Sequence, residues 1–302
     1  MAAKAGLHRF ALVLAACTLF LVVAGAMVTS KDAGLSVPDW PLSYGRLMPP
    51  MEGNIFYEHG HRMVATAVGL MSIVLAVWLW RSPAPRWLKY TGLGAVGCVV
   101  AQGVLGGITV LWLLPPAVSS SHACLAEIFF STTVAIAVFT SRSWQAGAAP
   151  VDDRGFLSLR LVALFLPVFV LFQVALGATA RHKAIGSIYH IGNSALVTAA
   201  VLYVTLRILL YYARHDALRR SALAMLVVTF AQVFLGIAAY MSRLATVDAV
   251  QPMPVMVTFT VMHVAVGALT MAARVVLAIQ VCRNVRRMAA HPQASAHYVT
   301  VS

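Results

Sequence analysis

Residues 56–80 read "FYEHGHRMVATAVGLMSIVLAVWLW". From Met63 to Trp80 no side chain is charged. Crossing a bilayer as a helix takes about 20 apolar residues, so this run nearly suffices by itself. A helix also satisfies each of its backbone polar groups internally, which lipid demands. At the mouth of the run stand Glu58, His59, His61 and Arg62. Such groups are expensive beside hydrocarbon and are retained where they serve a purpose.

The apolar run recurs. Stretches at 8–29, 61–80, 89–112, 117–140, 157–179, 186–211, 220–241 and 255–282 predict eight spans, separated by breaks such as "RSPAPRWLK" and "SRSWQAGAAPVDDRG". Charged residues make up 10% of the 302 and hydrophobic ones 61%. A soluble domain carries about 25% charged residues, so the expected class is an all-α polytopic membrane protein with lipid as its main solvent. The first run is too long for a signal-peptide core and is read as an uncleaved span. Lys4, Arg9, Arg81, Arg86, Lys89, Arg142, Arg154 and Arg160, with the arginines of 207–220 and 283–287, outnumber Lys31, Arg46, Arg62, Arg181, Lys183 and Arg243 on the opposite side. The positive-inside rule then puts both termini in the cytoplasm of a cell (inner) membrane protein, with loop 30–58 outside. The net charge of +13 is spread over short loops, so no nucleic-acid partner is expected. Cys17, Cys98, Cys124 and Cys282 form no CxxC and share no loop, which argues against a disulfide framework or a thiolate metal site.

The helices repeat as well. "AQGVLGG" from 101, "FQVALGA" from 172 and "AQVFLGI" from 231 share a Gln-x-x-Leu-Gly core, and "FLVVAGA" from 20 is a weaker copy. All fall on odd-numbered spans. A two-helix period grouped as four plus four predicts two four-helix bundles related by a pseudo-two-fold along the membrane normal. The expected division is a first bundle over 1–145, a cytoplasmic linker over 146–156, a second bundle over 157–285, and a disordered cytoplasmic tail over 286–302.

Each even-numbered span carries one histidine near its outer end: His61, His122, His190 and His263. Zinc prefers three or four clustered ligands, often thiolates or carboxylates. Haem iron needs one axial ligand per face. Pairing within each bundle gives His61 with His122 and His190 with His263, two bis-histidine sites between helices. Gly60, Ala123, Gly192 and Gly267 are candidates for giving a flat macrocycle room. Glu58 precedes His61 by three residues and shares its helical face. Arg62 lies about 100° round the helix, within reach of a haem propionate. His59 points elsewhere and is expected to be solvated. Ser187 stands where the second bundle would need a matching Glu, which suggests chemistry in the first bundle and electron storage in the second. Glu127 is a proton relay or a partner for Arg274. Two other readings stay open on these residues. A bis-haem cytochrome b that only passes electrons needs the four histidines but neither Glu58 nor the long loop. A duplicated transporter needs ionisable groups at mid-membrane, for which Glu127 is the acidic candidate.

The sequence also resembles the heme A synthase family. "AGLSVPDWPLSYG" at 33–45 and "EHGHR" at 58–62 are similar to that family's first outer loop and Glu-x-x-His-Arg motif. "LGGITVLWLLPPAVSSSHACLAEIFF" from 105 and "MHVAVGALTMA" from 262 are similar too. The resemblance implies an enzyme that oxidises the C8 methyl of haem O to a formyl group by successive hydroxylations, giving haem A for cytochrome oxidase assembly. It implies that Glu58, His61 and His122 form the substrate site, and that His190 and His263 ligate a haem b cofactor. Haem O synthase, an electron acceptor and a second copy of the chain are partners such a role admits. Many members carry a cysteine pair in the first outer loop, where this sequence has Val37 and Ser43. The loop "ARHKAIGS" at 180–187 is short and also lacks cysteine.

Overall fold

A computed structural model describes residues 2–155 and 157–286, with side chains from Ala5 onward. In chain order the elements are α1 (Ala2–Ser30), α2 (Gly53–Arg81), α3 (Arg86–Leu111), α4 (Pro116–Thr140), the short α5 (Arg142–Gln145), β1 (Val151–Asp152), α6 (Leu159–Arg181), α7 (Ser187–Tyr211), α8 (Asp216–Ala245), α9 (Pro254–Asn284) and β2 (Val285–Arg286). Eight of the helices are long and apolar enough to cross a membrane. The expected all-α polytopic class is what the chain adopts. The disorder expected of the tail past Arg286 lies outside the described residues.

Helix ends follow local chemistry. Pro116 and Pro254 open α4 and α9, where a missing N–H costs nothing. Helices α1, α3 and α6 close in one common way. The N–H groups of Ala33, Leu114 and Ala184 reach back to the carbonyls of Val28, Thr109 and Thr179. Asp32, Leu113 and Lys183 take the left-handed conformation this ending requires, with φ of 52°, 58° and 58°. The repeat seen in the sequence therefore extends to how the helices stop. The largest boundary difference from expectation is in α2, which starts at Gly53, not at His61. The polar residues ahead of the apolar run stay helical because Glu58 and Arg62, four apart, pair at 2.6 Å.

Helices α1 to α4 pack as a ring, each against its sequence neighbours, and α1 closes on α4. Helices α6 to α9 form a second ring closed by α6 against α9. Between the rings, α1 meets α9, α4 meets α9, and α4 meets α6. Each ring is filled at the end nearer the termini. Leu14, Leu75, Leu79 and Ile136 fill the first, and Leu159, Ile208, Met225 and Leu277 the second. The histidines occupy the other half, at the end carrying residues 31–52, here called the loop end.

The segment expected as a plain linker is tied down. β1 pairs in parallel with β2. The N–H of Ala149 donates to Asn284 at 3.0 Å, and Asp153 forms a buried ion pair with Arg207 at 2.9 Å. Arg274 does not pair with Glu127. It is fully buried and donates to the Thr270 carbonyl and to the Thr229 hydroxyl on α8. It lies on the side of α9 that faces α8, which explains why the expected pair does not form.

Candidate functional site

His61 and His122 sit on α2 and α4, diagonal helices of the first ring, and His190 and His263 on α7 and α9, diagonal in the second. Each ring of atoms rests on a glycine of the preceding helix. A methyl built on Gly177 would come within 2.8 Å of His190, and one on Gly236 within 2.9 Å of His263. On Gly25 it would come within 3.0 Å of His61, and on Gly106 within 3.4 Å of His122. These four glycines are the last conserved-looking letter of the internal repeat, read within this one chain. A backbone carbonyl four residues earlier on each helix, at Leu21, Gln102, Gln173 and Gln232, faces the corresponding imidazole. His190 Nδ1 donates to the Gln173 carbonyl at 3.0 Å, which leaves Nε2 as the ligating nitrogen.

Gly60, Ala123, Gly192 and Gly267, the residues expected to give a macrocycle room, lie on the histidines' own helices and do not seat the imidazoles. Gly60 has only Met51 near it, Gly192 nothing, and Gly267 the Gln232 side chain. The close approaches are made across helices instead. The signal lies in the Gln-x-x-Leu-Gly repeat, which the sequence alone marks only as a duplication. Overpacking by one methyl costs about 1–3 kcal/mol. Alanine at Gly177 or Gly236 should therefore lower the unfolding temperature clearly, and alanine at Gly106 least. Thermal unfolding of the four variants measures the order.

The loop between α1 and α2 folds over the first ring. Val37 N–H donates to Glu58 Oε2 at 2.8 Å, while Arg62 donates to Glu58 Oε1 at 2.6 Å. Arg62 also donates to the carbonyls of Asp39 at 2.8 Å and Leu42 at 2.9 Å. Its guanidinium is thus directed at the loop and at Glu58. Glu58 is 4% exposed and both its oxygens are engaged. His59, expected in solvent, is buried, and its Nδ1 lies 2.8 Å from Ser43 Oγ. The folded loop covers it, which the local helical position did not reveal. Trp40 packs so closely on Gly107 that a methyl there would sit 2.6 Å from the indole. Val37 and Ser43 are both fully buried contact points of this cover.

Asp39 holds the turn of the cover. Its carboxylate accepts from Tyr44 N–H at 2.6 Å and Gly45 N–H at 2.8 Å. The Gly45 N–H, with that of Tyr44, holds this carboxyl below the usual carboxylate range. A lowered value means the turn is stabilised above the ordinary carboxylate pKa of about 4 and loses that support as pH falls through the lowered value. Protease protection of residues 36–46 should therefore weaken on strong acidification, and an Asp39→Ala protein should lack that dependence.

The spacing of the second histidine pair fits two residues that would hold one metal ion. The His190 and His263 ring centroids are 6.2 Å apart with planes at 88°. A metal–imidazole bond is about 2 Å, so two imidazoles on opposite faces of one ion have centroids about 6 Å apart. Among the described residues the Nδ1 atoms of His61, His122 and His263 are buried without a hydrogen-bond partner, each with a carbonyl of the preceding helix beside its ring. Together with the glycine seats, these residues fit bis-histidine haem.

Fold and site define a class: a multi-pass membrane protein in which two rings of four helices each carry a histidine pair on diagonal helices. A model of the cytochrome oxidase assembly protein family (COX15-CtaA) matches residues 8–55 and 51–194. The chain belongs to this family. It is 33% identical over 176 residues to the heme A synthase of Symbiobacterium thermophilum, covering 55% of this chain and 56% of that protein. It is 26% identical over 187 residues to that of Shouchella clausii, covering 59% and 60%. With that of Shewanella oneidensis the figures are 29% over 178 residues, 53% and 52%. The chain thus aligns with just over half the length of the curated relatives it matches.

Proposed function

We propose that the protein is a heme A synthase that binds haem O between His61 and His122 and oxidises its C8 methyl to a formyl group. The observation that carries this reading is the asymmetry of the two pairs. A buried carboxylate, Glu58, stands one turn above His61 under a folded cover, and the second ring has Ser187 at the matching place. Membership of the family and the names of the relatives support it.

With water as the oxygen source, each hydroxylation of the methyl takes up one water and releases two electrons and two protons. The first gives a hydroxymethyl group. The second gives a gem-diol that loses water to the aldehyde. Haem b held by His190 and His263 would supply one-electron transfer toward an acceptor. The chain's own residues do the rest. Glu58 uses one lone pair on each oxygen for Val37 and Arg62, so each oxygen retains capacity to accept a proton from the reacting group. Arg62, 2.6 Å from Oε1, keeps that carboxylate oriented. Trp40 and the loop it anchors restrict bulk water at the reacting edge. The basic residues near the termini support a cell-membrane orientation with both termini cytoplasmic. Haem O synthase and an electron acceptor are the partners such a reaction requires.

Extraction and mass analysis of haems from cells that make haem O test the proposal. Haem A formed only when this chain is expressed supports it. Bound haem without any formyl product favours the plain electron-passing cytochrome instead.

A further inference from the structure

Helix α4 carries a second polar line that the histidine sites do not use. Ser120, Glu127 and Ser131 lie within about 40° of one another around the helix. They are 6%, 5% and 4% exposed. Ser120 Oγ, Glu127 Oε2 and Ser131 Oγ are buried and have no hydrogen-bond partner. Off this line, Ser121 donates to the Ala117 carbonyl and Thr132 to that of Ile128, both at 2.8 Å, while the neighbouring Ser119 Oγ is, like the line, buried without a partner among the described residues. Leaving a buried polar group unpaired costs about 1–3 kcal/mol. Three such groups on one line point to a partner from outside the chain, and water is the partner that fits small polar sites inside proteins.

The line faces the seam between the two helix rings. His122 lies about 140° away round α4. Val134, seven residues past Glu127 and so on the same line, packs in one cluster with Phe130 of α4 and Ala268 and Ala272 of α9, which Leu19 and Val22 of α1 join. Cys124 is the titratable neighbour of Glu127 on α4 itself. On α9 the titratable groups at these depths are His263 and Arg274, and among the described residues no ion pair joins Arg274 to Glu127. Helices α1, α3 and α6 carry their charges near their ends, at Arg9, Arg86, Lys89, Arg160 and Arg181, with His8 at the α1 end and Cys17 and Cys98 within the spans.

We propose that Ser120, Glu127 and Ser131 form a hydrated proton path in the seam, running about 16 Å along α4 from its loop end, with Glu127 as the proton-carrying group. The coupling part rests on the functional reading above. Oxidation in the first ring releases protons with its electrons, and Glu127 stands between His122's ring and the helix that carries His263. Its carboxylate takes up a proton when an electron arrives nearby and returns it to the path when the electron leaves. Only the O–H bond is made and broken.

The path is tested on the full chain by pH-difference infrared spectroscopy with hydrogen–deuterium exchange, which needs no haem. The expected result is a carboxylic-acid C=O band that disappears in Glu127→Gln. Its exchange should slow at least about tenfold in Ser120→Val and stay fast in Thr132→Val, a packing control. A band that survives in Glu127→Gln, or equal exchange in Ser120→Val and wild type, overturns the path. Redox titration of bound haem tests the coupling. One proton per electron gives about 59 mV per pH unit, and Glu127→Gln should flatten that slope. Identical slopes overturn the coupling. A protein that binds no haem at all overturns the functional reading and the coupling, while the infrared result still decides the path.

Discussion

Alanine at His190 or at His263 is expected to abolish the low-spin haem signal of the second helix ring. Under the proposed reading either change removes one of the two histidines that would hold that haem, their ring centroids 6.2 Å apart. Gln232 is the closest polar side chain, 3.4 Å from His263 Nε2, and an amide is a poor iron ligand. The glycine seats at Gly177 and Gly236 would then border a gap with no side chain to fill it. The first ring shares neither ligand nor seat with the second, so any haem bound by His61 and His122 should keep its spectrum. Optical and paramagnetic resonance spectra of the purified variants give the answer. A full bis-histidine spectrum in both would mean the iron is held elsewhere.

Replacing Glu58 with Gln should lower the ratio of haem A to haem O by more than tenfold, with the conversion stalled at haem O or the hydroxymethyl stage. The amide has nearly the carboxylate's shape but carries no charge and accepts through one oxygen only. It can satisfy Val37 N–H or Arg62, not both, and the ion pair at 2.6 Å is lost. A charge-assisted hydrogen bond of this kind is worth about 1.5–3 kcal/mol, enough to loosen the cover. Arg62→Ala separates the two roles, since it frees the cover but leaves the carboxylate. If Glu58 serves only the cover, both variants should lose product in proportion to lost protease protection of residues 36–46. If the carboxylate itself handles protons, Glu58→Gln should be the harsher at equal protection. His61→Ala should be harsher still, because it also removes an iron ligand. A normal ratio in Glu58→Gln would return "EHGHR" to being part of a helix and a loop clasp.

What the sequence made legible was whatever depends on near neighbours along the chain. Eight spans follow from apolar runs, and the helix depth of the four histidines follows from where those runs begin. What it hid depends on distant partners. His59 is buried because Ser43, sixteen residues earlier, folds back over it. Arg62 turns toward loop carbonyls between Val37 and Leu42, which helical geometry alone does not foretell. The seats of the imidazoles are hidden for the same reason. Spacing along α2, α4, α7 and α9 shows which residues share the histidine's own helix. It does not show that the repeat glycine on the preceding helix is the one beneath the ring. The pairing of residues 151–152 with 285–286 has no local signature at all.

That strand pairing has a consequence for biosynthesis. Val151 and Asp152 emerge from the ribosome with the first four spans, yet their hydrogen-bonding partners are Val285 and Arg286, which follow the eighth. The edge they present stays open while α6 to α9 are made and inserted. Asn284 and Arg283, which grip Ala149 and the backbone at Ser143 and Trp144, arrive just ahead of it. The last residues of the final span therefore latch the first half of the chain to the second, and a nascent chain truncated before them inserts eight helices without fastening that side.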